Sequence, residues 1–424
     1  MDKITIIAID RAESEVGRAA KKLAENLSAD VSAYMLVNHS YIGTPAYKGD
    51  ETNGFFKEVV CDFNDTYELT KILNDICEGQ VILHCRLEEA IQDYQKVIAL
   101  LNNPYTQTVE SLELSTKKYK MRKAISSKYP EICPKFVQIE SQFDLNESLI
   151  QNFKFPVIIK PNGLHSSFFV TKCNNYNEVE ENVNDIFEKL KSVYEREYGT
   201  GKPSLVIEEF MEGEMYSIDA YVTHNNDYYF LPIIRVVTAA ELGLDGYYSY
   251  RHIVPTDLNE EEIAKANKCA KKGMEALGLK SSTTHVELYK TPDGWKIIEI
   301  GPRIGGYRQE LYLESFGIDH YYNDLLIHSG KEPIVTHSHE KHAAGLNIYA
   351  DYEGTILSIE GVEEAQKLPS VVSLKCHVAV GDKAVFASNG GQFLVDGILS
   401  NQNKEELEAD VATVRSLIKF KIQE

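Results

Sequence analysis

The sequence predicts a multidomain chain that opens as α/β and continues as α+β. Three patterns carry this reading. The start has a β-α-β period, the middle twice alternates hairpins with one long helix, and the tail is short strands between Gly and Asp turns. With 424 residues, roughly 150 residues per unit gives about three compact units. The residues are 43% apolar and 25% charged, which supplies a packed interior and excludes a disordered chain.

The strands and helices follow in order. Residues 3–9 run apolar as a strand, and 13–27 place Val16, Ala19, Ala20, Leu23 and Leu27 at helical spacing. Residues 31–37 form the next strand of a parallel sheet, continued by strand 79–84 and helix 88–101. The first turn, DRAESEVGR, lacks a G-x-G-x-x-G phosphate cradle, so this unit reads as scaffold or substrate wall. A helix over 116–127 stops before Pro130 and Pro134, which mark a junction. Strands 155–161 and 167–173, helix 176–198 and strand 204–210 then make a small α+β layer. A second layer has a hairpin turning at Asn225-Asn226-Asp227 and a helix from the Asn259 cap to Leu277, stopped by Gly278. Strands 284–291 and 295–301 follow, joined by Pro292-Asp293-Gly294, and a helix over 404–418 closes the chain.

The net charge of −20 is spread along the sequence, and a polyphosphate backbone is repelled by such a surface, so nucleic acid is not an expected partner. The apolar stretch at 4–9 is too short for a signal segment, and no later run spans a bilayer; a cytoplasmic protein with no membrane partner is expected. Seven cysteines without a C-x-x-C pair read as reduced thiols.

Chemistry concentrates in 285-HVELYKTPDGWKIIEIGPRIGGYR-308. Glu287 and Glu299 sit on the two strands of one hairpin, amid apolar neighbours. Antiparallel pairing brings them together, and two close carboxylates in apolar surroundings call for a cation such as Mg²⁺. The alternative is a solvated face of an amphipathic hairpin. Arg303, four residues after Glu299, can reach a phosphoryl group that such a cation holds. Lys160 ends the apolar strand PVIIKP, where a phosphate would offset its desolvation.

On Glu287, Glu299 and Arg303 the sequence resembles an ATP-grasp enzyme, whose signature is a strand glutamate, a hairpin and then E-x-N-x-R. Gly301 stands where many members have asparagine. The resemblance implies an ATP-grasp fold with an N-terminal Rossmann-like parallel-sheet domain over 1–109. The ATP-grasp core is expected over 110–330, with a small subdomain at about 130–210, and a C-terminal β-rich domain over 331–424. It further implies ATP with Mg²⁺ (or Mn²⁺), held by Glu287 and Glu299. Lys118, in the K-x-x-M-R helix, and Lys160 are assigned to the nucleotide phosphates; otherwise Lys118 is a solvated helix lysine. The turn 162–167, with Ser166 and Ser167, occupies the place of the Gly-rich lid over ATP. LVIEEFMEGEMYSID resembles the family hinge, which assigns Glu208 and the backbone of Phe210 and Met211 to the adenine edge. Met215 stands where a ribose-binding glutamate is expected, and the adjacent Glu214 is its substitute.

Among these enzymes the tail and the H-x-E and E-I-G-P-R patterns are most similar to the L-amino-acid ligase group. Its implied reaction is attack of a carboxylate on ATP, giving an acyl phosphate that an amine displaces. Arg303 is then the catalytic arginine. His285 faces either the substrate or the core, and Arg308, with Arg251, His252 and Arg235, is a candidate grip on a substrate carboxylate, each being equally a candidate for pairing with one of the 64 acidic residues. The expected partners are small molecules, an amino acid or other carboxylate and an amine. Since members are commonly dimers, a homodimer is one expected state, and the sequence leaves the oligomeric state open. Two alternatives remain: a purine-pathway or carboxylase-like ligase, or a non-catalytic ATP-binding regulatory protein, the latter on account of Gly301 and Met215. EYGTGKPS is set aside as a phosphate loop because proline follows Lys202 and Arg196 replaces the first glycine. His337, His339 and His342 are set aside as a polar connector.

Overall fold

The computed structural model describes residues 2–44, 47, 49–163, 169–196, 202–243, 248–386 and 392–423. The opening strands form a parallel sheet in the order Lys57–Cys61, Asp30–Asn38, Lys3–Ile9, Gln80–His84. Ile4, Ile6 and Ala8 are buried on one face, Ile7 and Ile9 on the other. A strand apolar on both faces requires cover on both. Helix Ser14–Leu27 covers the first face, joined by helix His320–His328 from far downstream through Tyr321, Tyr322 and Leu325. Arg18 pins that late helix by two bonds of 2.8 Å to Asp319. Helices Thr66–Ile76 and Ile91–Leu100 cover the second face.

A second sheet is antiparallel, in the order Phe136–Ile139, Leu205–Glu209, Val157–Pro161, Thr171–Cys173. Helix Tyr176–Arg196 backs it through Val179, Val183, Ile186 and Leu190. The largest sheet runs Gly294–Gly301, Ser282–Thr291, Glu214–Val222, Ile234–Thr238, Ser249–Val254, His342–Ile348, Val395–Asn401, Val371–Cys376. Ser249–Val254 pairs directly with His342–Ile348, so strands of the tail extend this sheet. Helix Glu260–Leu277 backs the hairpin end. Asn259 caps it by accepting from the Glu262 N–H at 2.9 Å, and Gly278 stops it at φ +66°. The hairpin lies so close to this helix that a Cβ at Gly273 would stand 2.2 Å from Ile297 Cδ1. A small sheet of Gly354–Glu360, Lys383–Ala384 and Lys419–Gln423 completes the described residues.

The fold is mixed α/β and α+β as expected, with local corrections. The expected helix 116–127 is the helix Lys118–Lys128, and a further helix, Val109–Thr116, precedes it. Lys117 breaks them with an extended backbone at φ −108°, ψ 105°. Helix 88–101 starts only at Ile91. Strand Lys57–Cys61, mostly exposed at a sheet edge, lacks the apolar period that marks the others, and the closing strand Lys419–Gln423, which alternates Phe420 and Ile422 with polar residues, is a further element after the last helix. Of the expected strand 167–173, Thr171–Cys173 is strand, whereas Phe169, at φ +51°, and Val170 are not, and 167 and 168 lie outside the described residues. All seven cysteines are free thiols, and no helix among the described residues is long and apolar enough to cross a membrane.

Candidate functional site

The register of the Ser282–Thr291 and Gly294–Gly301 hairpin sets Glu287 directly opposite Glu299. Their side chains are 31% and 30% exposed, so both carboxylates line a recess and not an open face. Burial pushes Glu299 up, Glu88 and Glu287 add to the rise, and Lys118, with Nζ 4.0 Å from Oε2, opposes it. Glu287 feels the same burial, outweighed by His285 and then Arg308 and Arg303, and falls below the usual value. Two opposed carboxylates, one of them resisting ionisation, are relieved by a hard cation with oxygen ligands, so Mg²⁺ or Mn²⁺ fits this pair. Gly301, pairing with His285, adds no side-chain donor. Among the described residues no group of three or more His, Cys, Asp or Glu side chains is arranged to hold a metal. Two glutamates with phosphate and water is therefore the fitting ligand set.

Behind Glu287 lies a hub that the sequence analysis missed. Asp219 is fully buried and accepts from His285 Nδ1 at 2.6 Å, His320 Nε2 at 2.8 Å and the Gly305 N–H at 3.1 Å. Burial alone would raise its pKa; His285 and His320 outweigh it and hold Asp219 well below the carboxylate range. The other ring nitrogen of His285 is 3.5 Å from Glu287. Desolvation lowers His285, but Asp219 and Glu287 more than compensate and its pKa is raised. Gly305 is required at the hub, since a Cβ there would stand 2.5 Å from His285 Nδ1. The signal that could have found Asp219 is a lone carboxylate within the apolar strand YSIDAYV.

Arg308, a candidate substrate grip, lies within this hub. It is 2% exposed and donates to Ser217 Oγ at 2.7 Å and Gly306 O at 2.9 Å, with Nη1 3.4 Å from His252 and Nε 3.6 Å from Asp219. Its Nη1 and Nη2 are engaged inside the hub, while the buried Nε has no hydrogen-bond partner among the described residues. Arg251 pairs with Glu408 at 2.5 Å and Arg235 with Glu241, so neither is presented alone to a ligand. His252 is buried, and desolvation followed by Arg308 lowers its pKa well below the ordinary value.

On the nucleotide-lysine side, Lys160 Nζ lies 3.0 Å from Glu208. Glu208, 1% exposed, also accepts from Arg122 Nε at 2.6 Å and Nη2 at 3.1 Å. Burial would raise its pKa, yet Arg122 and then Lys160 pull it down to about 2. Glu208, expected at the adenine edge, thus has its carboxylate engaged by Arg122 and Lys160. Phe210 is half-buried, with its N–H on Pro156 O at 3.0 Å and Lys172 4.3 Å from its ring centre. Met211 is also half-buried. Glu214 is 57% exposed and accepts from Tyr216 OH at 2.9 Å. Ser166 and Ser167 lie outside the described residues.

Arg303 donates to Glu88 of the opening unit and to Ile304 O at 3.2 Å. Just beyond it, Ile304, Gly305, Gly306 and Tyr307 border a cavity of ≈ 320 Å³. Arg86 enters it from the opening unit, and Lys375, Phe393 and Asp396 from the tail. The connector histidines do not converge: His337 stacks on Phe316, and His339 Nε2 is 2.9 Å from Glu314 O.

Family models match this arrangement in two places. Residues 153–310 match an ATP-grasp domain and residues 347–423 the L-amino acid ligase C-terminal domain 2. The alanine–anticapsin ligase of Bacillus amyloliquefaciens is 28% identical over 224 residues, 50% of this chain and 46% of that protein. The chain thus spans under half the length of the first curated relatives it matches. The crystal structure of an L-amino acid ligase from Bacillus licheniformis superposes with a TM-score of 0.77 at 20% identity, covering 100% of this chain and 99% of that one. A phosphoribosylglycinamide synthetase structure from Anaerococcus prevotii gives 0.66 at 17% identity, with 100% of both chains covered. The chain thus contains an ATP-grasp domain over residues 153–310 and an L-amino acid ligase C-terminal domain 2 over 347–423, on a fold like that of the L-amino acid ligase structure.

Proposed function

We propose that the protein is an ATP-dependent ligase joining a carboxylate, an amino acid, to an amine through an acyl phosphate. The observation that carries the reading is the Glu287–Glu299 rung, flanked by Lys118 and set in an ATP-grasp domain. A divalent cation on the two glutamates would draw charge from the phosphate oxygens. Lys118 and Lys160 neutralise the nucleotide phosphates, and Arg303 stabilises charge on the transferred group. Asp219 acts through His285, fixing the ring that faces Glu287. The cavity beside Arg303 carries both signs of charge, Arg86 and Lys375 against Glu310 and Asp396. Such a lining suits a substrate that bears an ammonium and a carboxylate together.

The test is release of ADP and phosphate with Mg²⁺ across single amino acids and then all their pairs, with products read by mass. Turnover that requires two particular amino acids, with a product lighter than their sum by one water, is the expected result. ATP binding without release anywhere on the panel would instead favour the regulatory alternative that Gly301 and Met215 raise.

A further inference from the structure

Arg122 is the largest side chain buried below 2% exposure among the described residues, and neither the hairpin signature nor the chemistry above uses it. A guanidinium taken out of water is costly unless it is paired with an opposite charge and hydrogen-bonded. Here Nε and Nη2 go to Glu208, at 2.6 and 3.1 Å, while Nη1 and Nη2 reach Ile297 O at 3.0 Å and Ile298 O at 2.7 Å. One side chain therefore ties helix Lys118–Lys128, strand Leu205–Glu209 and the two residues that precede Glu299.

The charges give this tie a further consequence. Glu208 faces two cations, Arg122 and Lys160. Without Arg122 the carboxylate would cancel Lys160, whose position at a strand end is the one a phosphate would use. With Arg122 in place the group keeps a net positive charge, and that charge sits on the less buried partner, Lys160 at 12% exposure against 1%. We propose that Arg122 is a positioning residue for nucleotide binding: by serving as the counter-ion of Glu208, it leaves the charge of Lys160 for a phosphate. The inference rests on the nucleotide reading of the site given above.

The experiment is calorimetric titration of the full chain with MgATP. Arg122→Met weakens binding roughly tenfold or more, the scale of a lost bond to a charged group. Arg122→Lys keeps the counter-charge and stays within about threefold of wild type, under 1 kcal/mol on the affinity scale. The double variant Arg122→Met with Glu208→Gln removes both charges and returns to within about threefold of wild type. A double variant as weak as Arg122→Met overturns the proposal, because a mere structural clamp is not rescued by removing its carboxylate. Unchanged binding in Arg122→Met overturns it as well. Should that variant not fold, the double variant is compared with wild type alone, and weakened binding in it has the same meaning. Wild-type protein that binds no MgATP removes the nucleotide reading and this inference together; wild-type binding without rescue removes only the inference.

Discussion

The guanidinium of Arg303 is held by Glu88, 215 residues upstream in the loop after the last parallel strand. The arginine aimed at the reacting phosphoryl in the proposed reaction is thus oriented by the opening unit. Both side chains are about one-fifth exposed, dry enough for the pair to be fixed and open enough to meet a ligand. Replacing Arg303 by Ala removes the charge itself, and turnover falls roughly 10²–10³-fold, as for loss of one transition-state donor. Glu88→Gln leaves the arginine but frees its direction, and kcat falls about tenfold while the Kd for MgATP is unchanged. Steady-state kinetics beside titration separates the two; a shifted Kd in Glu88→Gln would place Glu88 in nucleotide binding instead.

The opposed pair Glu287 and Glu299 yields two effects of opposite sign. Either Glu→Gln substitution removes a cation ligand, costing several kcal/mol of charge stabilisation, or roughly 10²-fold or more in metal-dependent ADP release. The same substitution relieves repulsion in metal-free protein. Glu299→Gln, at the carboxylate that burial already pushes up, therefore raises the thermal midpoint in EDTA. A midpoint that drops there would show that the pair does not repel.

Asp219 controls the pH dependence around the site. Its folded pKa is depressed, so its stabilisation is complete above the unfolded value of roughly 3.9 and is lost as pH falls below it. His285 has a raised folded pKa, so its contribution is complete below about 6.5 and is lost as pH climbs through the folded value. Asp219→Asn removes the first contribution and the larger of the two causes of the second, leaving Glu287. Unpairing a buried charge of this kind costs about 3–5 kcal/mol. The loss is largest between about pH 4 and 6, where both terms are present in wild type, and narrows at higher pH. Midpoints measured from pH 4 to 9 check this, and a loss independent of pH would assign Asp219 to packing alone.

What could be read from the sequence follows from the range of the interactions involved. Glu287, Glu299 and their turn lie within one hairpin, and Asn259 and Gly278 fix their helix through local geometry, so residue order was enough. Glu88–Arg303, Asp219–His320 and Arg122–Glu208 join residues far apart in the chain, and residue types alone do not say which of many charges will meet. Glu208 and Arg308 each stand beside a matched motif, and only the three-dimensional arrangement shows the internal partners that each has, Arg122 and Lys160 for the one and Ser217 for the other. Lys57–Cys61 escaped notice for a different cause. An edge strand needs no apolar alternation when one of its sides faces water.

Away from the hairpin, Asp10 offers a stability prediction that turnover does not enter. It ends the first parallel strand at φ +61° and is 4% exposed. Oδ1 accepts from the Asn38 N–H at 2.8 Å, whereas Oδ2 has no hydrogen-bond partner among the described residues. Burial, with Asp93 and Glu89 adding to it, raises the carboxyl to about 7. A carboxyl whose folded pKa lies above its unfolded one favours folding at low pH and opposes it as pH rises between the two values. From roughly 3.9 unfolded to about 7 folded, the accumulated penalty above neutrality is on the order of 4 kcal/mol. Asp10→Asn keeps the acceptor for Asn38, tolerates the left-handed backbone and carries no charge. It therefore raises the unfolding midpoint at pH 8 and has little effect at pH 4, where the wild-type carboxyl is already protonated in the folded protein. Equal midpoints for the two proteins at pH 8 would mean that Asp10 ionises without cost, and that a cation or water satisfies Oδ2.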